Sequence, residues 1–247
     1  MDRLINTSLT AMRGAMARQT AIANNLANAN TTGFRAEIAN ASTTWLNGQS
    51  LNSRAMQSEQ VISANMKSGS VTQTGNPLDV AMNGDALLTV QAPDGSEAYT
   101  RRGDLTLNES GLLTTGDGNP VLGEGGPITL PPADNISIGK DGSIWIVPQG
   151  GDLAQPQQVE KLKLVSAKGS QISKGIDGLF HEVNGGALPE DPDASVTSQA
   201  LEGSNVNPTD ALVQMIDASR AWEAQIKMIT TAKELDDGGA SLMRLPD

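Results

Sequence analysis

Twenty-eight acids, one histidine and no cysteine are the raw material for chemistry in this chain. His181 stands beside Phe180 in a strand-like stretch and reads as a strand surface residue. One histidine without thiolates cannot assemble the common zinc sets. Serines are abundant, yet none sits in a Gly-x-Ser-x-Gly elbow, so a hydrolase triad has no visible nucleophile. Gly116-Asp117-Gly118 and Gly123-Glu124-Gly125-Gly126 lack the spacing of phosphate-binding loops, and neither opens a helix. The Asp-Gly pairs at 94–95, 141–142 and 177–178 fall outside any Asp-x-Asp-x-Asp-Gly calcium loop. Turn chemistry explains them better. Carboxylate pairs for glycoside cleavage could be drawn anywhere among the acids, which leaves such a choice without weight. The expectation is no catalytic residue, no metal and no cofactor.

Composition narrows the remaining classes. A net charge of −11 argues against nucleic acid as a partner, because its phosphates would be repelled. No run of about 18 apolar residues occurs, so direct membrane insertion is not expected. The first residues, Met1-Asp2-Arg3-Leu4-Ile5, show no basic region followed by an apolar block, and no Sec-type signal is expected. Aromatic residues are 2% of the chain while 26 glycines punctuate it, thin material for a tight enzyme pocket. The chain of 247 residues suffices for one large or two modest domains.

What these residues do form is long amphipathic surface at both ends. Ile5, Leu9, Met12, Met16, Gln19, Ala23 and Leu26 recur in alternating four- and three-residue steps, laying one stripe along a helix. The stretch from Asn24 to Phe34 should end it: asparagines compete for the backbone, and Asn30 and Gly33 suit a left-handed exit. Such a helix, about 28 residues, would run ~42 Å, too long for a small core to cover. At the other end, Asn207-Pro208-Thr209-Asp210 is a helix start, with an Asn cap and Pro in the first turn. Leu212, Met215, Ser219, Trp222, Ile226 and Ile229 then repeat the three-four spacing. On periodicity alone, a pair of ordinary core helices is an equal reading.

Between the helices the pattern changes. Residues 35–76 are polar and small and read as an extended arm, with Trp45 and Leu46 as its anchor; disorder is favoured as strongly by composition. From Pro77 the period becomes two. Ala86-Leu88-Val90 precedes the turn Pro93-Asp94-Gly95, and Tyr99-Thr100-Arg101 returns from it. Leu105-Leu107, Leu112-Leu113, Val121-Leu122, Ile128-Leu130, Ile136-Ile138, Ile144-Ile146, Val159, Leu162-Leu164 and Phe180 continue the series. Short strands at such intervals with Gly, Asp and Pro turns predict an antiparallel β-domain. Residues 184–195 read as a loop back toward the second helix. The expected fold is α+β: a discontinuous helical domain of residues 1–34 and 203–247, paired like a coiled coil; an arm over 35–76; a central all-β domain with its return loop over 77–202.

Several segments together resemble the axial proteins of the bacterial flagellum. Ala23 to Phe34, read ANNLANANTTGF, is similar to that family's N-terminal motif. Gln73-Thr74-Gly75-Asn76-Pro77-Leu78-Asp79-Val80 resembles the start of its β-domain, and Gly118-Asn119-Pro120-Val121-Leu122-Gly123 matches further along. Leu201-Glu202-Gly203-Ser204-Asn205-Val206-Asn207-Pro208 is similar to the C-terminal entry motif. Both ends and the middle match in order. Length and the stretch Gly123 to Thr129 resemble the proximal-rod members most, with distal-rod or hook-type members as the alternative. Ala86-Leu87-Leu88 stands where many relatives carry Gly-Phe-Phe, which weakens the distal-rod alternative.

The resemblance implies a structural subunit of the basal-body rod, a helical hollow drive shaft that transmits torque across the periplasm. It implies export through the flagellar type III apparatus without a cleaved signal, and partners that are other copies of the chain and other rod proteins. The interface residues expected on the helices are Ile5, Leu9, Met12, Met16, Leu26, Leu212, Met215, Trp222, Ile226 and Ile229, with Asn30, Gly33, Asn207 and Pro208 capping and turning the chain. A secreted β-rich binding module is the alternative from another class, and the scarcity of aromatics speaks against its stacking platforms. Replacing His181 with Ala should leave motility intact in cells that export the folded variant. Loss of motility with a folded, exported His181→Ala protein would contradict the absence of catalysis.

Overall fold

A computed structural model describes residues 2–45, 55–151, 155–183 and 185–243. The protein is α+β, with one helix near each end and antiparallel strands between them. Helix α1, Asp2–Ala27, stops inside the asparagine run, but Asn24 and Asn25 are helical and do not break it. Their side chains bond the next strand instead of competing for their own backbone. Asn25 donates to the Glu37 carbonyl at 2.9 Å and accepts the Glu37 N–H at 2.7 Å; Asn24 donates to the Glu37 carboxylate at 2.6 Å. Helix α2, Pro208–Met243, starts where its cap predicts. Asn207 Oδ1 accepts the N–H groups of Thr209 at 3.0 Å and Asp210 at 3.4 Å, satisfying donors the first turn leaves open.

Two compact units divide the chain. The first holds α1, α2 and two strands, β1 (Glu37–Trp45) and β2 (Ala55–Ala64) as far as Ser63. The strands pair with each other, and α1 lies against both α2 and β1. Strands therefore occupy part of the 35–76 stretch. Trp45 closes β1, while Leu46 lies outside the described residues.

The second unit, Asn28–Ala36 with Ala64–Val206, contains the remaining strands. In chain order they are β3 (Val71–Gln73), β4 (Val80–Met82), β5 (Ala86–Gln91), β6 (Glu97–Thr100), β7 (Leu105–Leu107) and β8 (Leu113–Thr115). Then follow β9 (Leu122–Gly123), β10 (Gly126–Pro127), β11 (Ala133–Ile138), β12 (Ser143–Pro148), β13 (Gln157–Lys161) and β14 (Leu164–Ser166). The last are β15 (Ile172–Lys174), β16 (Phe180–Glu182), β17 (Val196–Ser198) and β18 (Ala200–Glu202). A five-stranded sheet runs β14-β5-β6-β16-β15 and a three-stranded one β11-β12-β13. The late strands return to the early ones: β17 pairs β4, and β18 pairs β3. The turns behave as their residues predict. Gly95 and Gly142 take positive φ, and Ile138 faces Ile144 across the second of these turns.

Strand β5 departs from the expected alternation, because its sheet is covered on both faces. Ala86, Leu88 and Val90 enter a large core with Leu105, Leu113, Ile128 and Ile144. Leu87 points into a second, smaller core with Tyr99, Val165, Phe180 and Leu188. Tyr99 is wholly buried there, and its hydroxyl accepts the Leu188 N–H at 2.6 Å. That bond pins the segment over 185–195 to the sheet.

Burial pushes the Tyr99 phenol from its ordinary 10.0 up to about 12. A raised value favours the neutral phenol in the folded state, so its contribution is complete below pH 10.0 and is lost as pH rises toward about 12. As the chain has a single tyrosine, absorbance titration should give a midpoint near 12. A midpoint at the ordinary value would show an exposed phenol. Tyr99→Phe strands the Leu188 N–H and should lower stability by about 1–3 kcal/mol in urea titration.

Candidate functional site

Within the β unit, three segments remote in sequence converge on one carboxylate. Glu202, at the end of β18, is 1% exposed. Its Oε1 accepts Arg35 Nη2 at 2.8 Å and the Gly69 N–H at 2.8 Å; its Oε2 accepts Arg101 Nε at 2.9 Å. Arg101 also donates to the carbonyls of Met82, Gly84 and Ala86, tying it to β4 and β5. Burial pulls the Arg101 guanidinium below its ordinary value, and the Glu202 charge opposes that pull. The charge is thus held where water is absent by a ring of direct bonds.

Gly33 brings Arg35 to this place. Its φ is +68°, as expected, and its N–H donates to the Glu202 carbonyl at 2.7 Å. A Cβ on Gly33 would lie 2.4 Å from the Arg101 carbonyl, so only glycine fits both the conformation and the approach. Phe34 follows with the Lys174 ammonium 3.8 Å above its ring. Asn205 closes the arrangement by accepting the Ala36 N–H and donating to the carbonyls of Asn65 and Lys67. Asn30 is exposed in the turn after α1.

In the helical unit, each helix shows a covered seam and an open flank beside it. A heptad-spaced seam on α1, Ser8, Met12, Ala15, Gln19, Ile22 and Leu26, is covered or half-covered, and Gly14 and Ala21 are buried beside it. On α2 the seam is Ala211, Met215, Ala218, Trp222, Gln225, Ile229 and Ala232, with Ser219 half-covered beside it. The expected stripes share Met12, Gln19, Leu26, Met215, Trp222 and Ile229 with these seams. Their alternate members sit one residue away on the open side: Leu9 at 45% exposure, Met16 at 57%, Leu212 at 50% and Ile226 at 42%. The side chain of Ile5 lies outside the described residues. Small and polar residues share the seam with large apolar ones, and further large apolar residues stand outside it.

Arg35, Arg101 and Glu202 escaped prediction as a group. The only local signals were the position of Glu202 inside one motif-like stretch and of Arg35 directly after another. His181, by contrast, pairs with Asp177 at 2.9 Å beside the β15–β16 turn. Among the described residues, no group of three or more acids or histidines is placed to hold a metal, and no helix is long and apolar enough to cross a membrane.

The family described as "Flagella basal body rod protein" matches residues 5–35, which hold α1 and the Gly33 turn. "Flagellar hook protein FlgE/F/G D1 domain" matches residues 81–146, and "Flagellar basal body rod FlgEFG protein C-terminal" matches residues 197–242. The chain is 38% identical to the flagellar basal-body rod protein FlgF of Salmonella typhimurium, over 99% of this chain and 100% of that one. This chain belongs to the flagellar basal-body rod protein family. The rod protein FlgF of Escherichia coli is 39% identical over 95% of each chain. The rod protein FlgG of Bacillus subtilis is 31% identical over 95% of this chain and 97% of that one. The family matches at the two ends cover the covered seams, the open flanks, Gly33, Arg35 and Glu202 of this rod-family chain.

Gly33→Ala should cost about 2–4 kcal/mol, because strained φ and a backbone clash add. Gly75 also has positive φ, at +77°, but open space around its Cβ position. Gly75→Ala should therefore cost only about 1 kcal/mol. Equal losses in denaturant titration would show that the close approach to Arg101 is absent.

Proposed function

We propose that this chain is a structural subunit of the flagellar basal-body rod, polymerising through α1 and α2 into a hollow helical shaft that carries torque. The supporting observation is the open apolar flank running beside the covered seam on both helices. The three-four spacing of the seams supports pairing of α1 with α2 in the manner of a coiled coil. Leu9, Met16, Leu212 and Ile226 then face neighbouring subunits, with Met12, Leu26, Met215, Trp222 and Ile229 at the boundary between the two contacts; the sequence spacing alone adds Ile5 to the interface. Covering the flanks contributes about 25 cal/mol per Å² of apolar surface removed from water. A contact of this kind between unlike surfaces that does not close on itself generates a helical polymer.

Partners are further copies of the chain and other rod proteins, with the type III export apparatus acting before assembly. The absence of cysteine suits passage into an oxidising periplasm. Identities of 35–39% to FlgF proteins against 31–33% to FlgG proteins support a place in the proximal rod over the distal rod. The role is mechanical, with no catalysis and no cofactor.

Ile226→Asp tests the interface directly. In the monomer Ile226 is 42% exposed, so the variant should keep the wild-type melting temperature and be exported. In the polymer it buries an unpaired carboxylate, a penalty of several kcal/mol, on the order of 3–5. Negative-stain images should then show no completed rod, and the cells should not swim. Lys233, exposed on the same helix, should tolerate Gln. Normal swimming of Ile226→Asp cells would remove the interface, and melting of the whole monomer would make the flank part of its own core.

A further inference from the structure

We propose that Arg35 is a releasable pin, held in the β unit by the charge of Glu202, so that residues 28–36 can detach while the β cores stay folded. The two arginines on Glu202 are held very unequally. Arg101 has an acceptor for every guanidinium nitrogen: Glu202, and the carbonyls of Met82 at 3.1 Å, Gly84 at 2.7 Å and Ala86 at 2.6 Å. Arg35 has one bond, Nη2 to Glu202 Oε1 at 2.8 Å. Its Nε and Nη1 are buried with no acceptor.

Buried donors of this kind have given up water without replacement. Docking of Arg35 is therefore opposed by two of its own nitrogens and sustained by one charge-assisted bond. Without the Glu202 charge, Arg101 keeps its three carbonyls, whereas the Arg35 guanidinium loses its one ionic partner among the described residues. The other ties of the segment include Gly33 to the Glu202 carbonyl, the Arg35 carbonyl to the Lys174 ammonium at 3.5 Å, Ala36 to the Asn205 side chain and the Asn65 N–H, and Phe34 to Lys174 and the Asn205 N–H. None of these ties enters either apolar core, so detachment is a local opening rather than unfolding. The inference concerns the monomer and stands whether or not the rod reading holds.

Amide hydrogen exchange on the full chain reads the opening. The Gly33 and Ala36 amides report on the segment, while Thr89, bonded to the Lys163 carbonyl, and Leu113, bonded to the Ile128 carbonyl, report on the core. Glu202→Gln keeps the shape and removes the charge. It should speed exchange at Gly33 and Ala36 by about tenfold or more and change Thr89 and Leu113 by less than about twofold. Arg35→Gln leaves the Arg101–Glu202 pair in place and should act in the same direction at the same amides, which keeps the test alive if Glu202→Gln fails to fold. The double variant should exchange no faster than the faster single one, because both changes remove one contact. Equal acceleration at segment and core, no acceleration at Gly33 and Ala36, or multiplying effects in the double variant would each overturn the pin.

Discussion

A carboxylate shared by two guanidinium groups, all nearly without water, is the constraint on which the β unit depends. Glu202 joins residues 167 positions apart through Arg35 and 101 apart through Arg101. A buried charge without partners is expensive, so each member of the set holds the others in place. The arrangement therefore specifies where the chain enters from α1, where β4 and β5 turn, and where β18 leaves for α2. Gly33 and Gly69 permit it, since a Cβ at either would collide with the backbone of the opposing segment. Polar bonds with fixed direction do here what apolar contacts, which lack direction, could not.

The two units distribute their apolar residues in opposite ways. In the β unit the large side chains, such as Leu87, Leu88, Leu105 and Ile144, are fully buried, and the structure closes on itself. In the helices, alanine, serine and glutamine share the covered seam with residues such as Met12, Ile22 and Ile229, while further large apolar side chains, among them Leu9, Met16, Leu212 and Ile226, stand outside it. A unit built to be complete as a monomer would cover those side chains as well. A subunit of a rod has reason for it, because surface kept out of its own core remains available for a neighbour.

Local chemistry made much of the architecture legible from residues alone. The Asn207 cap, Pro208 in the first turn, the positive φ of Gly33 and the Asp-Gly turns each depend on neighbours in sequence, and each stands as read. The strands from Ala86 to Phe180 are likewise visible as short apolar runs between turn residues. Alternation failed at Leu87 because a strand covered on both faces no longer needs a polar side. Asn24 and Asn25 stay helical, and the partners of their side chains on Glu37, beyond the helix, are invisible to local chemistry.

The sequence by itself determined the kinds of element, their order and the apolar surface on both helices. Tertiary structure decided which part of that surface is covered. Seams and open flanks differ by one residue, so periodicity counts them alike, and only the packing of the helical unit separates Ala15 from Met16 or Gln225 from Ile226. Tertiary structure also decided the partners of Glu202. No period or spacing links residues 35, 101 and 202, and an ion pair between segments far apart in the chain exists only once the chain has crossed itself.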